Sequence, residues 1–339
     1  MISHTYRLYS PKQIRMDQID EQLGEDSIIV RPTYLSICAS DQRYYNGKRD
    51  TKAMKEKLPM ALIHEAVGEV VFDPKNIIEK GTKVVMIPNT PIEENKVIKE
   101  NYLRSSKFKS SGYDGFMRNI VLIDRNRVIE YDGFSDRVAA FLELLSVSIN
   151  AIEHFELYSH SNREVFGVWG DGNLGFITSL ILKYKFPNKK IIVFGKNPHK
   201  LGYFQFVDEI YEIDQIPNDF YVDHAFECVG SYNAEDAINQ IIDHINPEGS
   251  ILLMGVSERN VAINTRMILE KGLKIIGNSR SGYNDFFESI KFVKENKDVE
   301  KYLNTIISDE IVVRELKDIH TAFERDLTND FKTVMKWEI

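Results

Sequence analysis

Cys38 is one of two cysteines in 339 residues, and polar residues follow it at once in SICASDQRYY. Cys228 sits instead in the apolar run FECVG and reads as a small buried hydrophobe. LIHEAVGEVV supplies His64 and Glu65, and FLELLSVSINAIEHF supplies Glu143. One thiolate, one imidazole and carboxylates can hold Zn²⁺ with a position open for water or substrate, the arrangement of a catalytic zinc. These residues are scattered along the chain, so spacing alone does not join them. The alternative is a set of buried, hydrogen-bonded carboxylates with no metal.

A second chemistry is written in WGDGNLGF, which follows the apolar run VFGVW and opens the amphipathic stretch NLGFITSLILKYK. Gly170, Gly172 and Gly175 fit G-x-G-x-x-G between a strand and a helix, the context of a dinucleotide site. The first glycine permits the tight turn, the second admits a pyrophosphate, and the third lets helix pack on strand. Free N–H groups at the helix start, around Asn173 and Leu174, then face the anion. The alternative is a glycine-rich turn without a ligand. The next strand ends KIIVFGKNPHK, with Gly195 where an NAD site carries an acid. Glycine there leaves space for a 2′-phosphate, and Lys196 can neutralise it, with His199 and Lys200 as further contacts. NADP(H) is therefore expected over NAD(H), the alternative being that Lys196 is only a solvated lysine.

Two textures of sequence must position these groups. Up to about residue 120 the chain reads as short strands separated by turns (DSIIVRP, EAVGEVVF, TKVVMIP, FMRNIVLI), a partly closed β domain. From about Glu164, strands alternate with helices: VFGVW, KIIVF, EIYEI, DHAFE, SILLM and LKIIG predict an α/β doubly wound parallel sheet. The predicted division is residues 1–151 with 281–339 for the catalytic domain and 152–280 for the dinucleotide domain. Hydrophobic content of 43% and charged content of 28% are those of a soluble globular protein. A net charge of −8 gives no reason to expect nucleic acid or an acidic membrane as partner. Two cysteines cannot build a disulfide framework, the N-terminus MISHTYRLYSPKQ is too polar for a signal peptide, and no apolar run is long enough to span a bilayer. The expected compartment is the reducing cytoplasm.

The motifs ICASD, IHEAVGEV, GYDGFM, LELLSVSINAI, WGDGNLG and FECVG together resemble the zinc-dependent medium-chain alcohol and polyol dehydrogenases over nearly the whole chain. The resemblance implies a GroES-like catalytic domain beside a Rossmann domain. It also implies catalytic zinc on Cys38 and His64, with Glu143 as the third ligand in the manner of the polyol branch. Glu65 then binds the metal directly or sits behind it. Two departures stand out. The lobe that carries four closely spaced cysteines in many members is here TPIEENKVIKENYLRSSKFKSSG, so one zinc site and no structural zinc is expected. Where alcohol dehydrogenases often end a proton relay in histidine, this chain has Arg43, a poor relay and a candidate for an anionic part of the substrate.

SICASDQRYYNGKRD, KLPMALIHEAVGEVVFD, FGVWGDGNLGFITSLIL, DHAFECVG and LEKGLKIIGNSRSG narrow the resemblance to the bacterial ribulose-5-phosphate reductase branch, which serves teichoic acid and capsule synthesis. That branch implies NADPH-dependent reduction of D-ribulose 5-phosphate to D-ribitol 5-phosphate, with the product passing to a cytidylyltransferase. Ser40, two residues past Cys38, is expected to pass a proton to the substrate oxygen, and Glu65 to exchange on the metal. Arg43, then Arg280, are the preferred phosphate contacts, with Lys48 and Arg49 nearby. Tyr44 and Tyr45 either line the substrate cleft or pack in the core. A homodimer through the edge strand LKIIGNS is expected from the family. The remaining alternatives are a zinc polyol dehydrogenase for an unphosphorylated sugar alcohol and a non-catalytic NADPH-binding homologue.

Overall fold

The strand–helix alternation of the second half folds as its texture predicts. In the computed structural model, which describes all 339 residues, residues 147–280 form one unit around a six-stranded parallel sheet. Its strands lie in the order Glu209–Glu212, Lys190–Gly195, Val165–Trp169, Val222–Glu227, Ile245–Leu253, Lys274–Gly277. Such an order, with the first strand central and the chain winding out both ways, is the doubly wound dinucleotide sheet. The central strands are continuous apolar runs because helices cover both faces. Ile191 to Phe194 are all fully buried, for example. Helix Asn173–Lys185 turns Phe176, Ile177, Leu180 and Ile181 inward, and helix Ala234–His244 does the same with Ala237, Ile238, Ile241 and Ile242.

The other unit comprises residues 1–146 and 281–339. Its main sheet runs Val128–Glu130, Lys83–Met86, Glu65–Phe72, Ser27–Ser36, Lys332–Trp337, Ile307–Val313, with Val121–Asp124 also pairing to Ser27–Ser36. A smaller sheet joins Gln13–Asp20, Ile2–Ser10 and Met60–Ala61. The hairpin of Ile2–Ser10 and Gln13–Asp20 has no clear counterpart in the sequence reading, because its strands are polar and only partly buried. FMRNIVLI becomes a strand only from Val121. Its first residues run in loops, Phe116 donating its N–H to the Ile63 carbonyl at 2.8 Å. Lys332–Trp337 pairs antiparallel to Ser27–Ser36, with Val334 opposite Ser36. This pairing brings the far end of the chain to the turn that carries Cys38: Ile37 donates its N–H to the Thr333 carbonyl at 3.1 Å. No helix in the protein is long and apolar enough to cross a membrane.

Candidate metal centre and coenzyme loop

Cys38 caps the start of the helix Ala39–Tyr45, just beyond the strand Ser27–Ser36. His64 follows Ile63, a β-branched residue held at φ 71°, and Glu65 opens the strand Glu65–Phe72. Positive φ at isoleucine is strained and persists only where neighbours fix it. Asp41 supplies the fixing contact. Its fully buried carboxylate accepts from the N–H of Ile63 at 3.0 Å, the N–H of Cys38 at 3.2 Å and the Ser110 hydroxyl at 2.6 Å. Its second oxygen stands 3.6 Å from His64 Nδ1. One carboxylate thus pins both turns that present the cysteine and the histidine.

The Cys38, His64 and Glu65 ligand atoms all lie within 4.8 Å of one another, a spacing that one ion can bridge. The electrostatics favour a cation there. Burial opposes a charged imidazole at His64, yet the nearby Asp41 and Cys38 outweigh it and hold its pKa well above the ordinary value. Burial likewise opposes the Asp41 charge, but His64, the Ser110 hydroxyl and the Ile63 N–H keep that carboxyl below its usual range. Donor types, proximity and field all fit a zinc ion.

Both carboxylates expected at the metal are buried, in different circumstances. Glu65 takes Lys332 Nζ at 2.7 and 2.6 Å on its two oxygens, and the same ammonium donates to the Ile37 carbonyl at 3.2 Å. Glu143, in the first turn of the helix Leu142–Tyr158, lies outside the three-residue group. Burial pushes its carboxyl up to about 7, His64 and Lys332 pulling it down and Glu65 and Asp41 pushing it further up. A divalent ion would relieve that penalty. Asp41 and Lys332 are the two residues here that sequence reasoning missed.

Ser40 is half-buried and its Oγ accepts from Arg49 Nη2 at 2.6 Å, while the Arg49 guanidinium lies 4.9 Å over the Tyr44 ring. Arg43 is half-buried on the same helix. Of the two alternatives for Tyr44, its burial favours packing. It is only 1% exposed, as is Tyr45, and both belong to the core of this unit, so the packing alternative describes the pair. Tyr45 stacks on Phe323 at 4.4 Å and its hydroxyl meets His320 Nδ1 at 2.7 Å. Arg280 is half-buried in the other unit, at φ 60°, with its carbonyl accepting from Asn150 Nδ2 at 3.1 Å.

The glycine loop has the shape its sequence requires. Gly170 is at φ +134°, and a Cβ there would meet the Cys228 backbone at 3.0 Å. A Cβ at Gly175 would overlap the Gly170 carbonyl oxygen, which is how closely the helix packs on the turn. Gly172 caps that helix and faces open space, since a Cβ at this position would have no atom within 4 Å. The adjoining Asn173 has a buried Oδ1 with no hydrogen-bond partner. An open backbone cradle with an unsatisfied polar atom beside it fits a dinucleotide pyrophosphate. Burial pushes the Cys228 thiol pKa up, as befits a small core residue.

The space beside Gly195 is shared with Asp171. A Cβ there would meet Asp171 Cβ at 2.7 Å and Oδ2 at 2.8 Å, because the Asp171 side chain fills the position. Asp171 Oδ2 accepts from the backbone N–H groups of Lys196 and Asn197, both at 2.7 Å. The Lys196 residue itself is exposed.

A doubly wound sheet with a glycine loop, and a β-rich unit carrying a cysteine–histidine–glutamate group, define a zinc-binding alcohol dehydrogenase. Comparison with known proteins agrees. Residues 24–133 match the alcohol dehydrogenase GroES-like domain and residues 188–295 the zinc-binding dehydrogenase domain. The chain is 52% identical over 341 aligned residues to a ribulose-5-phosphate reductase of Bacillus spizizenii, covering 100% of both chains. It is 50% identical to ribulose-5-phosphate reductase 2 of Staphylococcus aureus, again over 100% of both. The crystal structure of S. aureus TarJ in complex with NADPH superposes with a TM-score of 0.89 at 44% identity, covering 100% of each chain. The chain belongs to the zinc-dependent medium-chain dehydrogenase/reductase family, in the same branch as these reductases.

Proposed function

We propose that this protein reduces D-ribulose 5-phosphate to D-ribitol 5-phosphate, with NADPH as reductant and zinc as catalytic metal. The observation that carries this function is the 52% identity, over the full length of both chains, to the B. spizizenii reductase. The cysteine–histidine–glutamate group and the glycine loop support it. Cys38 and His64 would hold the metal, and a carboxylate would complete the set. Glu143 is the better candidate for that carboxylate, since the Glu65 charge is already matched by Lys332.

When bound, zinc supplies Lewis acidity at the ketone oxygen and NADPH supplies the hydride for the ketone carbon. The chain's own residues handle the proton and the phosphate. Ser40 accepts from Arg49, which leaves the serine O–H free to donate to the developing alcohol. Arg49 stays protonated and is no proton source, so the serine proton is replaced from water. Arg43 and Arg49, carried on the segment after Cys38, supply the positive charge that a sugar phosphate needs on a chain of net charge −8. The product suits a cytidylyltransferase of cell-wall polymer synthesis in the cytoplasm. The exposed edge strand Lys274–Gly277 is the surface through which a homodimer would extend its sheets.

Steady-state NADPH oxidation with D-ribulose 5-phosphate and with D-ribulose tests the function. The phosphorylated ketose should be strongly preferred in kcat/KM, and Arg43→Ala and Arg49→Ala should erode that preference. Equal efficiency on the two sugars would exclude a phosphate-specific enzyme.

A further inference from the structure

In doubly wound sheets, an acid at the end of the second strand takes the adenosine ribose hydroxyls, and that position here is Gly195. A carboxylate nonetheless reaches the same spot from the glycine loop, since Asp171 occupies the volume that a Gly195 side chain would fill. Asp171, Gly195 and Lys196 line one cavity of about 150 Å³. Two backbone N–H groups at 2.7 Å hold Asp171 Oδ2 in place, and no hydrogen bond engages Oδ1. Hydrogen bonds to a charged acceptor are strong, so the carboxylate remains there as a fixed negative charge.

We infer that Asp171 sets the coenzyme preference of this protein, acting against Lys196 as an opposed pair. The Lys196 ammonium attracts a 2′-phosphate. The Asp171 carboxylate repels it and offers Oδ1 to a ribose hydroxyl that NADH and NADPH share. Asp171 is retained because it also holds the turn that presents Lys196. NADPH preference is therefore held below what Lys196 alone would give. This inference builds on the NADP(H) assignment of the site.

Dissociation constants for NADPH and NADH, measured by calorimetry on the full chain, test it. In Asp171→Asn the amide oxygen can still accept from Lys196 and Asn197, while the charge is gone. That variant should bind NADPH tighter by about 3- to 5-fold, the scale of one partly exposed charge pair, without tightening NADH. Lys196→Ala should weaken NADPH alone. If Asp171→Asn does not fold, Asp171→Ser, which also lacks the charge and keeps an acceptor, is read the same way. A ratio of the two constants that stays within about twofold of wild type in the uncharged variant overturns the inference and leaves the NADP(H) assignment intact. A wild-type chain that binds neither coenzyme overturns both.

Discussion

Lys332 places its ammonium 2.6 and 2.7 Å from the two carboxylate oxygens of Glu65, across 267 residues of sequence. The lysine is 2% exposed and the glutamate 0%. The ion pair joins the C-terminal strand to the strand that follows His64, so the metal centre and the fold of its unit share one buried interaction.

Removing one partner of such a pair strands a buried charge, at a cost of about 3–5 kcal/mol. Lys332→Met should therefore lower the unfolding free energy by about that amount in urea titration. The double variant Lys332→Met/Glu65→Gln should recover part of the loss. Equal stability of the single variant and the wild type would remove the pair from any structural role.

Asp41 acts on the metal through the residues it holds. Asp41→Ala releases the Ile63 and Cys38 N–H groups and the His64 ring together. Zinc affinity, measured by competition with a chelator, should fall by about 10- to 100-fold, the usual cost of losing the group that orients a metal-bound histidine. Unchanged affinity would mean that the two turns hold their shape without it.

The two buried carboxylates near the metal should behave differently. Glu143→Gln removes the acid with no side-chain cation hydrogen-bonded to it, whereas Glu65→Gln leaves the Lys332 ammonium unmatched. Zinc content after dialysis should fall more in Glu143→Gln, and thermal stability should fall more in Glu65→Gln. The reverse pattern would make Glu65 the ligand and Glu143 the supporting acid.

His224 gives a pH dependence far from the metal. The backbone N–H of Ser250 donates to its Nδ1 at 3.2 Å, so the ring proton is on Nε2 and meets the Asn162 carbonyl at 2.9 Å. Burial, with His160 adding to it, pushes its pKa down to about 4. A folded-state pKa below the unfolded value of about 6.5 stabilises the protein at higher pH. That stability is lost as pH falls from 6.5 toward 4, by about 3 kcal/mol in all. Urea midpoints at pH 7, 5.5 and 4.5 should show the decline, and His224→Gln should flatten it.

The glycine loop and all six strands of the parallel sheet were legible because their signals are local: periodic apolar runs and glycines at fixed spacing. Cys38, His64 and Glu65 were legible as motif residues, and the structure brings their ligand atoms together. Asp41 stands three residues past Cys38 in a motif already singled out. Its role was hidden because an acid at a helix start reads as a cap. Lys332 carries no local signal beyond a lysine at the head of the strand KTVMKW, and only the pairing with Ser27–Ser36 places it beside Glu65. Asp171 beside Gly195 was not legible, because that side chain comes from the glycine loop, well upstream in the chain. Tyr44 shows the same limit: an aromatic next to polar residues reads equally as cleft or core until the helix is docked.

The proposed seat of NADPH-dependent reduction of a pentulose phosphate is a zinc held by Cys38 and His64. Its most direct test measures zinc content and NADPH oxidation by D-ribulose 5-phosphate on the same preparation, for wild type and for Cys38→Ser. The prediction is about one zinc per chain with turnover in the wild type, and loss of both together in the variant. Turnover by a zinc-free wild type, or a Cys38→Ser protein that keeps metal and activity, would contradict it.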